Sequence, residues 1–334
     1  MSTMPPPLRV LTWHVHGSYL DSLIRTGHEF FLPVRDVNGR REGGIGSWPW
    51  PRERVHEIPD RQVANLDVDV VIYQQDEDWL DRGPRILSDR QQRGPRIYIE
   101  HDPPWDDPTE ARHPVDDPDV LLVHVTAFNR LMWDSGRTPT RVIEHGLPEP
   151  QGVTWTGIEP RGLVVVNDLG TRGRRLGLDI VERARERVPL DIVGMRTERV
   201  GGLGEVPRDQ LPAFSAPYRF FFHPVRYTSF GMAVCEAMLL GMPVVALATT
   251  EMPTVISDGR SGLTDTDPDA LIDRAQALID DHALAARLGA AGRDVARKRF
   301  SMERFTADWD RALHDVIEGR LGSAAQRERV AVPA

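Results

Sequence analysis

Residues 218–248 read YRFFFHPVRYTSFGMAVCEAMLLGMPVVALA, and their pattern decides the fold. Tyr218 to His223 is an aromatic run suited to a buried strand. Gly231 to Leu240 suits a helix that Thr228 or Ser229 can N-cap and Gly241 can close. Pro243 to Ala248 is a second apolar strand. Strand, helix and strand in so short a span form the βαβ unit of a parallel sheet.

The alternation extends in both directions. Gly162 to Val166 and Leu190 to Val193 read as strands, and Leu176 to Arg187 as a helix between them. Asp269 to Ile279, Ala283 to Arg299 and Met302 to Gly319 carry helical periodicity. In the first half, Leu8 to Trp13, Asp67 to Tyr73, Arg96 to Glu100, Val120 to Val125 and Arg141 to Glu144 read as strands. Tyr19 to Ile24 and Ala127 to Trp133 read as helices. Pro148 to Arg161, with three prolines and two glycines, separates the two series. The expectation is an α/β chain of two Rossmann-like, doubly wound parallel sheets facing a central cleft. The domains run over 1–150 and 162–300, joined by a linker at 151–161, with a helix over 301–320 and a polar tail over 321–334. Residues 38–59 and 101–119 read as long loops, which in compact domains are often functional.

Composition narrows the classes. The 334 residues are 40% hydrophobic and 27% charged, an ordinary globular balance. No apolar run nears the roughly 20 residues of a membrane span, and the N-terminus lacks the features of a secretory signal. Cys235 is the one cysteine, which excludes an intrachain disulfide. These features predict a cytoplasmic protein without stable membrane insertion. The net charge of −9 argues against nucleic acid as a partner. Lys298 is the only lysine, so a phosphate clamp here must use Arg, His or backbone amides.

Glu236 is the one charge in an otherwise apolar helix. A buried carboxylate needs a cationic partner or a ligand. Gly231 beside the helix start allows a ligand close to the backbone, and N–H groups there attract phosphate.

The stretch resembles the donor-site motif of the bacterial family 4 retaining glycosyltransferases, which have the GT-B fold. That family typically reads E-G-F-G-L, three residues, E-A-M, then G-x-P-V-V-A. Here Thr228-Ser-Phe-Gly-Met232 stands at the first part, Glu236-Ala-Met238 at the second, and Gly241-Met-Pro-Val-Val-Ala246 at the third. The likeness runs from about Leu163 to Phe305. Arg141-Val-Ile-Glu-His-Gly146 carries a looser likeness in the first half.

The resemblance implies a glycosyltransferase that moves a sugar from a nucleoside diphosphate sugar to an acceptor, with retention and without a metal or other cofactor. It assigns the nucleotide ribose to Glu236. The motif's first glutamate is replaced by Thr228, whose hydroxyl can bind a sugar without a charge. On the loop after Val166, relatives place an Arg and a Lys on the diphosphate. This chain has Asp168 near the Arg position and offers Arg172, Arg174 and Arg175, with Arg172 and Arg175 the expected pair. Amides near Ser229, Phe230, Gly231 and Met232 complete the donor side. The C-terminal helix around Phe305 and Trp309 is expected to cross back onto the first domain, as in relatives.

In the first half, His14, His16 and Gly17 follow one strand, and His101 and Asp102 follow another. With His145 they form the expected acceptor face, where an imidazole can bond a hydroxyl or handle a proton. His16 and His101 are the catalytic candidates there, alongside Thr228. Their spacing, with His14 and His113, matches no zinc pattern, and no metal site is expected. Two other readings stay open: a GT-B epimerase or hydrolase of nucleotide sugars, and a noncatalytic nucleotide-sugar-binding protein.

Overall fold

The apolar runs become the central strands of two separate sheets. In the computed structural model, which describes residues 6–321, the first sheet holds eight strands. They are β1 Arg9–Thr12, β2 Glu29–Val37, β3 Arg40–Gly43, β4 Val55–Pro59, β5 Val70–Tyr73, β6 Arg96–Glu100, β7 Val120–His124 and β8 Thr140–Val142. Their order is β3-β2-β1-β5-β6-β7-β8, with β4 also paired to β2. The second sheet holds β9 Glu159–Val165, β10 Leu190–Val193, β11 Tyr218–His223, β12 Val244–Leu247 and β13 Leu263–Asp265, in the order β10-β9-β11-β12-β13. All strand pairs are parallel except β2 with β3. Strands β5, β7, β11 and β12 are buried at every residue, as parallel strands covered on both faces must be.

Each sheet has one point where the chain reverses its direction of winding. In the first it lies between β1 and β5, since β2 is laid on one side of β1 and β5 on the other. In the second it lies between β9 and β11, flanked by β10 and β12. Loops leaving the carboxyl ends of the two strands diverge there, leaving a crevice for a ligand. This places the loops after Thr12 and Tyr73 in the first unit, and those after Val165 and His223 in the second, at the positions that matter.

The chain divides into two compact units. One runs up to Gly146 and resumes at Met302; the other is Leu147–Ser301. The helix Met302–Ile317 therefore belongs with the first sheet, burying Phe305, Trp309 and Leu313. Arg304 donates to the carbonyl of Glu144 at 2.9 Å, and Arg141 pairs with Asp315 at 2.8 Å. Strand β9 begins at Glu159, within the stretch expected to be linker. The expected polar tail lies, from residue 322, outside the described residues.

Two expectations about elements need correction. The segment 38–59 is not all loop, because it contributes β3 and β4. Strand β2 has no counterpart in the sequence reading; Pro33 interrupts its pattern, yet pairs in register with Ile58. A proline fits because the amide of Phe30 faces the β4 side, so the nitrogen of Pro33, three residues on, faces the other side, past Phe31 where the pairing with β1 ends.

Candidate functional site

The helix Met232–Leu240 buries Val234, Cys235 and Ala237 through Leu240, so nearly all of its circumference is core. Met232, Ala233 and Glu236 stay partly open, and their spacing puts them on one face. Glu236 retains 30% of its side-chain exposure. Desolvation nevertheless raises its carboxyl above the ordinary value, opposed by Arg208. A side chain both desolvated and open stands in a recess. Arg208 lies 3.8 Å from Glu236, too long for a hydrogen bond. The ion pair expected as the alternative to a ligand is therefore present, but loose.

The helix start differs from expectation. Neither Thr228 nor Ser229 caps it; the N-cap is Gly231, with no side-chain hydrogen bond. A side chain at Gly231 would meet only His223, at 4.0 Å. The N-cap residue thus supplies no side-chain acceptor to the first turn, whose Val234 amide donates to the carbonyl of Gly231 at 3.1 Å, and a helix start of this kind favours an anion. Ser229 and Phe230 are buried, and Phe230 stacks on Phe300 at 5.3 Å. Its ring serves the core, so its backbone alone can serve a ligand.

The loop after β9 meets the loop after β11. The amides of Arg226 and Tyr227 donate to the carbonyl of Arg175 at 3.0 and 3.4 Å. Gly177, at φ +84, lies so close to the carbonyl of Pro224 that a Cβ would stand 2.1 Å from that oxygen. Arg172 ends a short helical turn, Leu169–Arg172, and is exposed; Arg175 lies in the turn Gly173–Leu176. The following helix starts at Leu178 rather than Leu176. Arg174 pairs with Asp179 at 2.8 Å, and Arg226 grips the same carboxylate at 2.6 and 2.7 Å. Asp168, in left-handed conformation at φ 59, is ion-paired with Arg196. Arg196, then Arg172 and Arg199, hold its carboxyl below the usual range. Three guanidiniums around one carboxylate leave this corner positive.

In the first unit, the rings of His16 and His101 stand 4.1 Å apart, and Tyr19 meets His101 at 4.8 Å and His145 at 5.8 Å. His16 is the N-cap of the helix Gly17–Ile24. Burial lowers the pKa of His16. Burial, then His16 and His145, push His101 well below its ordinary value. Both imidazoles are neutral at physiological pH. Gly17 packs against the indole of Trp48, where a Cβ would come within 2.5 Å of the ring. Asp102 is half-buried, its amide donating to Glu100 at 2.8 Å and its carbonyl accepting from Trp133. His14 donates from Nδ1 to the carbonyl of Gly44 at 2.7 Å.

Residues 174–281 match the family Glycosyl transferases group 1. The match takes in Arg174, Arg175 and the whole stretch from Thr228 to Glu236, while Arg172 falls just outside it. Over 115 residues the chain is 36% identical to the O-antigen chain mannosyltransferase B of Escherichia coli, covering 34% of this chain and 29% of that protein. Over 265 residues it is 28% identical to the D-inositol 3-phosphate glycosyltransferase of Nocardioides sp., covering 73% and 51%. The chain thus spans about half the length, or less, of these curated relatives. The structure of Anabaena Alr3699/HepE in complex with UDP superposes with a TM-score of 0.67 at 14% identity, over 92% of this chain and 100% of that one. The fold is GT-B.

The GT-B frame brings the sequence-derived candidates into two groups. His16, Gly17, His101, Asp102 and His145 belong to the first unit; Arg172, Arg175, Thr228, Ser229, Phe230, Gly231, Met232 and Glu236 to the second. Sequence reasoning missed four residues. Arg208 approaches Glu236 from a segment without a motif. Arg226 and His223 flank the end of β11, and burial pushes His223 down to about 4. Gln74 follows β5 directly, and the strand-end rule that singled out His101 would have found it. No group of His, Cys, Asp or Glu among the described residues could hold a metal ion. No described helix is long and apolar enough to cross a membrane.

Proposed function

We propose that the chain is a glycosyltransferase that takes its sugar from a nucleoside diphosphate donor and works without a metal. The carrying observation is the meeting of the loops after β9 and β11 beside an uncapped helix start, with Glu236 recessed but open one turn further on. A diphosphate fits the first-turn amides of the helix Met232–Leu240 and the guanidiniums of Arg172 and Arg175. Glu236 fits two vicinal ribose hydroxyls. Charge accumulates on the departing diphosphate during transfer, and these fixed donors stabilise it without reorganising. Thr228 offers a neutral hydroxyl to the sugar, and retention is proposed on the likeness of this segment to its family. His16 and His101, held neutral, suit the hydroxyls of an acceptor. The UDP complex of a GT-B neighbour supports a nucleotide ligand of this class.

A second reading, nucleotide-sugar binding without transfer, draws on the hydroxyl at Thr228 in place of a carboxylate. One experiment separates the two. Titration with UDP, GDP and ADP by calorimetry is expected to give saturable binding to at least one. Incubation of the matching radiolabelled sugar nucleotide with a cell extract should then move label into a new product only if the protein transfers. Binding without labelled product selects the second reading, and no binding overturns both.

A further inference from the structure

The structure assigns a positioning role to Gln74: it fixes His101 as the tautomer protonated on Nε2, leaving Nδ1 as an acceptor for a ligand hydroxyl. Gln74 is 3% exposed and follows β5 at the winding reversal of the first sheet. Its Nε2 lies 2.9 Å from the carbonyl oxygen of Trp13 and 3.2 Å from the hydroxyl of Thr12, both at the end of β1. A backbone carbonyl only accepts, so the amide must turn its NH2 toward Trp13. The threonine hydroxyl, able to donate or accept, adapts to that choice. The amide oxygen then points the other way and meets His101 Nε2 at 3.2 Å. An amide oxygen only accepts, so His101 Nε2 must carry the proton.

A neutral imidazole carries one proton, so Nδ1 is left with a bare lone pair. Burial and the neighbouring imidazoles keep the ring in that neutral form. Among the described residues no hydrogen bond uses this nitrogen, and His101 is only half-buried. The chain of constraint therefore runs from the backbone of β1 through Gln74 to a ring nitrogen at the carboxyl end of β6. A group that meets Nδ1 must donate to it, as a sugar or alcohol hydroxyl does and a carbonyl or phosphate oxygen does not. Gln74 itself touches no substrate in this arrangement. It sets what His101 can recognise, as outer partners of ligating histidines do elsewhere.

The role toward a hydroxyl rests on the glycosyl-transfer reading, whereas the tautomer does not. The test is long-range 1H–15N correlation of the imidazoles in the full-length, ligand-free protein at pH 7.5, with His101 assigned by its loss in His101→Asn. A protonated Nε2 and a bare Nδ1 are expected in the wild type. A ring protonated on Nδ1, or exchanging between tautomers, overturns the assignment without bearing on glycosyl transfer. The second measurement is Gln74→Glu, where a carboxylate replaces the amide oxygen on the Nε2 side. Its negative charge should raise the proton affinity of His101 at least tenfold in a pH titration. An unchanged titration in folded Gln74→Glu overturns the coupling. If Gln74→Glu fails to fold, the wild-type spectrum still decides.

Discussion

The two sheets reverse their winding in the same way, but the residues placed at the two reversals differ in charge. At the first stand His16, His101 and Gln74, all neutral. At the second stand Arg172, Arg175 and Arg226, an uncapped helix start, and Glu236 set apart from them. Topology provides the crevice in both cases, and the loop residues decide what it accepts. A neutral, desolvated cluster discriminates hydroxyls through hydrogen bonds. In the proposed function the guanidiniums and helix-start amides of the second reversal serve a polyanion, in a chain whose net charge is −9. The proposed transfer, with a diphosphate as one partner and an alcohol as the other, rests on this division.

The comparison is broken most severely at Gly177. Its φ of +84 and the 2.1 Å approach of a would-be Cβ to Pro224 force any side chain to separate the loops after β9 and β11. Gly177→Ala should lower stability by about 3 kcal/mol or more, from backbone strain and overpacking together. Urea denaturation checks this, and an unchanged midpoint would mean that the two loops are not locked together. The reversal in the first sheet should be untouched, so His101 should keep its tautomer at low urea.

Acidity sharpens the comparison on the histidine side. Desolvation pushes fully buried Asp78 up to about 7, with Arg82 opposing, and buried His124 down to about 3. The signs are opposite. A carboxyl raised in the folded state contributes stability that is present at low pH and lost as pH rises through about 7. An imidazole depressed in the folded state contributes stability that is present above about 6.5 and lost as pH falls toward its folded value. His16, His101 and His223 share the second sign. Asp78→Asn should therefore raise stability at pH 8 by roughly 2–4 kcal/mol and expose a steeper loss on acidification. Urea midpoints at pH 8, 6.5 and 5 measure both; a variant less stable than wild type at pH 8 would contradict the sign for Asp78.

Glu236→Ala comes next in size. Loss of a carboxylate that accepts two hydroxyls should weaken nucleoside diphosphate binding by about 1.5–3 kcal/mol, on the order of tenfold to a hundredfold. The fold should survive, because the side chain is partly exposed and its ion pair with Arg208 is loose. Calorimetry with the nucleotide and a thermal melt give the two numbers. Unchanged affinity would return Glu236 to a structural role.

Much of this was legible in the sequence where local pattern and burial agree. Strands β6, β10 and β11 fall at their expected residues because each is an apolar run bounded by turn residues. Strand β2 was hidden because Pro33 breaks the alternation. Strands β3 and β4 were hidden because a segment with four glycines and three prolines between Asn38 and Pro59 reads as loop, and only pairing with β2 makes it extended. The helix cap was misread for a related reason: Thr228 and Ser229 are good capping types, but the chain stays extended through Gly231 before it turns. At the site, Glu236 stood out as a lone charge among apolar residues. Arg208 and Arg226 did not, since one more arginine in an arginine-rich chain carries no local signal. Their places depend on tertiary contact.

The smallest expected effect concerns Asp179, which holds Arg226 and Arg174 at the edge of the positive corner. Arg226 first, then Arg174, keep its carboxyl below the usual range, so the charge is present at neutral pH. The group is 41% exposed, and solvent screens the pair. Asp179→Asn should therefore change stability by less than about 1 kcal/mol. Its effect on binding is more informative. Removing the negative charge that holds Arg174 and Arg226, and so releasing two guanidiniums, should tighten nucleoside diphosphate binding by roughly twofold to fivefold at low ionic strength. The gain should vanish near 1 M salt, where the Debye length is about 3 Å. Calorimetry at two salt concentrations measures it. Weaker binding at both concentrations would show that Asp179 serves the site by holding Arg226 in place. The second reversal would then owe its affinity to fixed geometry more than to accumulated charge, and so resemble the first, where Gln74 holds His101.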